Sequence, residues 1–348
     1  MSTRKYATID GSGIIGVEEG PAPECGPADV LVDVHASLIS AGTELGGVPR
    51  RRENPNADAK PRPFGYQNAG VIVEKGAEVA EYELGDRVAC MGGGYALHTT
   101  TAAVPKNLTV PIPDNVSFEE AAFNHLAATA LQAIRRGELE LGHNVLVVGL
   151  GSIGQLACQL ARLSGCRVMA LDRLPLRLGT AEQLGADLVV NVDEDDPVPM
   201  AQELTEGEGM DCAIMAFGGD GTEAFKQIVQ MMKLTPDTHR MGNIVIVGGA
   251  QISHTFAASL GNLNVLSSAR TGPGYHDDDW ERGDEYPHVF VRWTTRRNLA
   301  LCLRLISEGK LRLEPLISHR YPLDDAGEAC DKIIESPEET ISVILTMK

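Results

Sequence analysis

The stretch "NVLVVGLGSIGQLACQLARLSG", residues 144–165, decides the fold. It opens with an apolar run of strand length, then places glycines at 149, 151 and 154 in GxGxxG spacing. Beyond them Ile153, Leu156, Ala157, Leu160 and Ala161 share one helical face. A strand that passes into a helix through these glycines is the context in which the motif binds a dinucleotide rather than merely shaping a turn. Gly149 permits the tight turn, Gly151 lets a pyrophosphate approach the backbone, and Gly154 lets the helix pack against the strand. The phosphates are expected at the positive end of the helix, beside Ser152 and Ile153. The next strand, "RVMALD", ends in Asp172, eighteen positions after Gly154. A carboxylate there is expected to accept hydrogen bonds from both ribose hydroxyls and to repel a 2'-phosphate, which predicts NAD as cofactor. Arg173 is adjacent and able to receive that phosphate, so NADP stays open.

Outward from this point the chain has two grammars. After residue 143, strand candidates ("LVVNV", "CAIMAF", "NIVIVGG", "NVLSSA") alternate with helices, which implies a doubly wound parallel sheet. Before about residue 125 the chain is β-rich, with short apolar runs such as "DVLVDVHASLIS" and glycine turns. The first long helical pattern is "SFEEAAFNHLAATALQAIRRG", where Ser117 and Glu120 fit a capping box. The tail ends in a strand-like run, and no internal repeat is visible.

Composition bounds the rest. The 348 residues allow two domains, and 43% hydrophobic with 22% charged residues is ordinary for a soluble globular protein. A net charge of -18 argues against nucleic acid or an anionic membrane as partner. No signal peptide or membrane-span pattern is seen, and the seven cysteines are scattered without CxxC spacing. The expectation is a cytoplasmic protein with reduced thiols.

The ordered set "LGDRVA", "SFEEAA", "TALQAI", "GLGSIG", "EQLGAD" and "EPLISHRYPLDDAGEACD" resembles the medium-chain dehydrogenase/reductase superfamily, the group of zinc alcohol dehydrogenases and quinone reductases. The resemblance covers nearly the whole chain. It implies a GroES-like β-rich catalytic domain over 1–125, completed by 295–348, with a Rossmann domain over 126–294 and an active site in the cleft between them. It also implies a homodimer or homotetramer. Zinc-dependent members hold their metal through a Cys-Gly-Thr-Asp-like step, a Gly-His-Glu step and a ligand before the inserted domain. Here "SAGTE" puts Ala41 at the cysteine, and "GYQ" puts Tyr66 at the histidine and Gln67 at the glutamate. His125 falls at or next to the third ligand, and "CMGGGYALH" runs through the region of the four-cysteine structural lobe. One histidine does not make a catalytic zinc site, so no metal is expected.

Without zinc an acid/base must reach the substrate oxygen. His125 is the first candidate, because an unperturbed imidazole titrates near neutral pH. Tyr66 is the second, and Thr43 matches the family position whose hydroxyl relays protons. Glu44 and Gln67 also stand at the vacated site, although Glu44 is equally a partner for an arginine of "VPRRREN" at the surface. His35, His98, His143, His239, His254 and His319 have no spacing that suggests a site and are expected at the surface or in packing. The segment "RTGPGYHDDDWERGDEYPHVFVRWTTRRN", residues 270–298, holds both tryptophans. Aromatic faces beside charged groups suit a sugar or cyclitol, and His288, Arg292 and Trp293 are candidate substrate contacts. A lid or a subunit contact is the alternative for this segment, and the run Asp277–Asp279 is expected to be a solvated turn.

The expected function is zinc-independent, NAD(H)-dependent interconversion of a secondary alcohol and a ketone on a sugar, cyclitol or similar polyol. The small, polar substrate would be the partner. The alternatives are an NADPH-dependent quinone or enoyl reductase and a non-catalytic dinucleotide-binding protein.

Overall fold

The computed structural model describes residues 3–254 and 256–347. The chain divides into two compact units, 1–128 with 271–348, and 129–270.

The second unit is built around a six-stranded sheet in which every pairing is parallel. Across the sheet lie Leu188–Asn191, Arg167–Asp172, Asn144–Val148, Cys212–Met215, Met241–Val247 and Asn262–Ser268. In chain order that is third, second, first, fourth, fifth, sixth, the doubly wound arrangement expected for a Rossmann domain. Helices Ser152–Leu163, Pro175–Gln183, Pro197–Leu204 and Thr222–Met231 connect the strands. A strand buried on both faces must be largely apolar, and after Asn144 the run "VLVV" is. Leu146, Met169, Ala213, Ile244, Phe225 and Ile228 form its core. Truncating a fully buried residue such as Phe225 typically costs about 3–5 kcal/mol.

The first unit is the β-rich one. Its main sheet runs Ile317–Pro322, Ser342–Thr346, Asp29–Ile39, Gln67–Lys75, Arg87–Met91 and Thr109–Pro111, with Thr101–Pro105 also paired to Asp29–Ile39. The C-terminal strand pairs antiparallel with Asp29–Ile39 through Val343–Ile39 to Thr346–Ala36. The tail therefore completes the N-terminal domain, as the resemblance implied.

Two boundaries differ from expectation. Residues 271–294 belong to the first unit, not to the Rossmann unit. Trp280 anchors them: it is 1% exposed, and its carbonyl accepts the Asn107 Nδ2 proton at 2.6 Å. Second, the helix expected from Ser117 onward is two helices, Phe118–Ala121 and Asn124–Arg136. The Ser117–Glu120 capping box is present. The break delivers Phe123 fully into the core and leaves His125 in the first turn of the second helix.

All seven cysteines are free thiols; six are buried and Cys25 is half-buried. Burial pushes the thiols of Cys90, Cys158 and Cys212 up to about 12.

Candidate active site and dinucleotide loop

In the Rossmann unit the three glycines shape a tight loop between strand and helix. Gly149 has φ +88°, in the left-handed region. A Cβ on Gly154 would lie 1.9 Å from the Gly149 carbonyl oxygen, so nothing larger fits there. A Cβ on Gly151 would meet open space, and no side chain caps the helix that Gly151 begins. That end can cradle an anion, and the loop fits a dinucleotide pyrophosphate. Ser152 and Ile153 are half-buried in the first turn of this helix.

Asp172 is placed differently from expectation. Its Oδ2 accepts the Leu150 N–H at 2.6 Å, and its Oδ1 accepts those of Arg173 at 2.7 Å and Leu174 at 3.0 Å. The Arg177 guanidinium stands 4.0 Å from Oδ2. A carboxylate offers roughly four lone-pair directions, and the chain's own backbone takes three. The geometry leaves room for about one ribose hydroxyl, not both. Arg173 extends outward, 72% exposed, with Asp193 at 3.4 Å. Gln155 was missed: fully buried, it donates to the carbonyls of Leu150 at 3.2 Å and Arg177 at 2.7 Å, fastening the loop to the next helix. The available signal was a glutamine on an otherwise small, apolar helical face.

In the first unit His125, Tyr66 and Thr43 come together around one phenol. The hydroxyls of Ser40 and Thr43 stand near enough to the Tyr66 phenol to pull its titration down, against the burial that raises it. Its ring lies 4.5 Å from that of His125, edge to face. The His125 Nδ1 is 3.3 Å from the Tyr66 carbonyl. A carbonyl only accepts, so the proton sits on Nδ1 and the lone pair on Nε2. The Tyr66 carbonyl also accepts from the Gly92 N–H at 2.8 Å. Burial pushes the His125 imidazolium down to about 4, which corrects the expectation of near-neutral titration: the ring is neutral at physiological pH. Burial, then the nearby Glu44 carboxylate, raise the Tyr66 phenol well above its ordinary range.

Glu44 does not pair with a surface arginine. Its side chain is 4% exposed, and Oε2 accepts the Ser40 N–H at 2.8 Å and lies 3.1 Å from His98 Nε2. His98 is neither a surface residue nor simple packing: it is fully buried, and its Nδ1 meets Ser37 Oγ. Nothing in the spacing of His98 signalled this, because Ser37, Glu44 and His98 are brought together only by the sheet. Gln67 is fully buried and donates to the Leu38 carbonyl at 3.1 Å, so its amide lies within the fold rather than on an open surface. Glu44 Oε1, Gln67 Oε1, Asn68 Oδ1 and both amide atoms of Asn124 are buried without a hydrogen-bond partner.

The aromatic segment splits. Tyr275 reaches the site: its ring is 6.0 Å from His125, and its hydroxyl accepts the Gly93 N–H at 2.6 Å. His288, Arg292 and Trp293 instead line an open groove of about 450 Å³ with Val289 and Arg297. The Arg292 guanidinium sits 4.9 Å over the Trp293 ring. Trp280 is core, with Gly274 packed on its face, and offers no platform to a ligand. Asp277 is not simply solvated; it caps a short helix at the Trp280 N–H and accepts from the Tyr286 hydroxyl.

These donors do not suit a zinc ion. Ala41 contributes none, and among the described residues no three His, Cys, Asp or Glu side chains gather as a metal would require. The residues present do not fit a zinc site.

Residues 152–283 match the family described as zinc-binding dehydrogenase. Over that stretch the chain is similar to the zinc-binding dehydrogenases. Mouse sorbitol dehydrogenase is 28% identical to it, over 92% of this chain and 90% of the relative. Among solved structures, an Escherichia coli oxidoreductase of unknown specificity superposes with a TM-score of 0.82 at 20% identity, covering 99% of both chains. Galactitol-1-phosphate dehydrogenase of Escherichia coli gives 0.79 at 22% identity, covering 98% of this chain and 99% of that one. The fold is theirs: a GroES-like unit and a Rossmann unit.

Proposed function

We propose that the chain is an oxidoreductase that interconverts a secondary alcohol and a ketone on a sugar, cyclitol or similar polyol, with NAD(H) and without zinc. The observation that carries this reading is the Tyr66 ring, packed edge to face on the ring of His125 with centroids 4.5 Å apart. A bound nicotinamide would supply or take the hydride. The chain's own residues must then manage the proton on the substrate oxygen. Tyr66, kept protonated, donates a hydrogen bond to that oxygen. Thr43, exposed to solvent, stands at the position expected to relay the proton. His125, its Nδ1 facing the Tyr66 carbonyl, packs on the phenol ring and fixes its orientation. Similarity to sorbitol dehydrogenase supports a polyol as the substrate class.

The test is a panel of polyols, cyclitols and their ketones with NAD and NADP, run alongside metal analysis. NAD-linked turnover by protein holding less than about a tenth of a zinc per chain is expected. A full equivalent of zinc that activity follows would overturn the metal-free reading. One observation favours a second reading, an NADPH-dependent quinone or enoyl reductase: Asp172 is bonded to its own backbone while Arg173 stands exposed beside it. Turnover confined to enones with NADPH would select it. Tight NADH binding with no turnover would select a non-catalytic role. The edge strand Asn262–Ser268 supports a homodimer formed by strand pairing, and the unlinked thiols support a cytoplasmic location. Among the described residues no helix is long and apolar enough to cross a membrane.

A further inference from the structure

The tip of the segment 286–294 has an unusual surface. Val289 and Phe290 are each 87% exposed, and among the described residues no large apolar side chain is more so. The tip is nonetheless fixed at both ends. Tyr286 stacks on the buried Trp280, and its hydroxyl donates to Asp277. Thr294 is buried and caps the helix Thr295–Ser307. Between them Pro287 turns the chain, its carbonyl accepting the N–H groups of Phe290 at 2.9 Å and Val291 at 3.0 Å. Apolar side chains scattered singly over a surface are ordinary; an adjacent pair held out in water on a bonded turn marks a contact. The turn is ordered before anything docks, so docking is spared that cost.

The surroundings indicate what covers the pair. Beside the tip lies the groove of about 450 Å³ lined by His288, Val289, Arg292, Trp293 and Arg297. The patch therefore holds a projection and a hollow side by side. Its charge is divided as well. Before the tip come Asp278, Asp279, Asp284 and Glu285, all exposed. After it come Arg292, exposed and lying over the Trp293 ring, and Arg297, half-buried. A twofold contact lays a patch on its own reversed copy, so every feature must find its complement within that same patch. Here it does: projection meets hollow, and the acidic stretch of each copy meets the basic stretch of the other. An unrelated partner would need only one half of this arrangement. With a net charge of -18, two copies repel unless their contact is locally complementary. The same net charge and the flanking carboxylates disfavour an anionic membrane surface as the occupant.

We infer that the tip 287–293 and its groove form a twofold interface between two copies of this chain, with Phe290 of each copy seated in the groove of the other. The surface is separate from the edge strand Asn262–Ser268. Use of both twofold contacts would close a tetramer. The interface needs no substrate or cofactor, so it stands or falls apart from the proposed chemistry.

The test is the mass of the full chain by sedimentation velocity and light scattering over a range of concentrations. Phe290→Asp is expected to halve that mass, with the dissociation constant raised at least about 30-fold. Glu285→Arg and Arg292→Glu are each expected to weaken the assembly about tenfold, and the double variant to recover most of the loss, because each copy brings both charges to the contact. All three positions are exposed, so circular dichroism and melting temperature are expected to match the unaltered chain. Phe290→Ser, which adds no charge, is expected to lower the mass in the same direction and serves if the aspartate variant does not fold. An unaltered chain that stays monomeric at about 0.1 mM overturns the inference. So does a mass that Phe290→Asp leaves unchanged, whatever that variant does to activity. Binding to phosphatidylcholine–phosphatidylglycerol vesicles that Phe290→Asp abolishes without altering the mass would overturn it in favour of a membrane contact.

Discussion

Each unit contains a largely buried carboxylate beside its functional loop, and the two are treated in opposite ways. Asp172, at the end of the strand Arg167–Asp172, is bound by three N–H groups of its own backbone. It stitches the glycine loop to the following turn. Glu44 in the turn after Asp29–Ile39 has one oxygen engaged by His98 and Ser40 and the other without a partner. A carboxylate taken mostly by its own backbone N–H groups fastens a loop. One with an oxygen buried and unsatisfied keeps more electrostatic influence over its surroundings. Residue type does not separate them; the partners do.

The comparison can be broken most decisively at Tyr66. Tyr66→Phe removes the hydroxyl proposed to meet the substrate oxygen. It is expected to lower kcat by about 10²–10⁴-fold, measured at saturating substrate with circular dichroism as a folding control. Next in size is Gly154→Ala on the Asp172 side. The added Cβ would sit 1.9 Å from the Gly149 oxygen, so the loop must move. A stability loss of about 2 kcal/mol or more is expected by urea unfolding. Fluorescence titration should show weakened dinucleotide binding.

His125 gives a smaller, pH-dependent effect. Its folded-state value near 4 lies below the 6.5 of an exposed histidine. Below 6.5 the unfolded chain takes up a proton that the folded chain refuses. Stability present above that pH is therefore lost as pH falls towards 4. Between pH 6.5 and 5 this single group should cost about 2 kcal/mol. Unfolding free energies at those two pH values should converge in His125→Gln; an unchanged slope would show that the ring is not held neutral. The smallest effect belongs to Arg173→Ala. Its exposed pairing with Asp193 predicts a change in stability within about 0.5 kcal/mol. Selective loss of NADP affinity, with NAD unmoved, would instead show that Arg173 receives a 2'-phosphate.

The Rossmann unit was legible because its signals are local. A strand, three glycines and an amphipathic helix follow one another, and each glycine's role depends on neighbours within a few residues. The division into a β-rich unit completed by the tail came through as well, carried by the order of several weak motifs. The Tyr66 site was legible only in part. Thr43, Tyr66 and His125 could be placed by resemblance, but their setting could not. His98 is far in sequence from Ser37 and Glu44, and only the folding of the sheet makes it their neighbour. The pH at which His125 titrates depends on its burial, which no spacing reveals. Trp280 looked like a binding platform because aromatic residues in a charged loop carry the same pattern whether they face solvent or the core. Its buried contact with Asn107 across the unit decides the matter.

The seven thiols turn this architecture into a measuring device. In the native chain only Cys25 is within reach of an alkylating reagent, and even there burial and the nearby carboxylates of Glu74 and Asp29 slow the reaction by disfavouring the thiolate. The other six are distributed over both units: Cys90, Cys302 and Cys330 in one, Cys158, Cys166 and Cys212 in the other. Mapping which of them become modified, and in what order, as denaturant rises would report the opening of each unit separately. Mass spectrometry could read that sequence of events without a substrate, a cofactor or a spectroscopic tag.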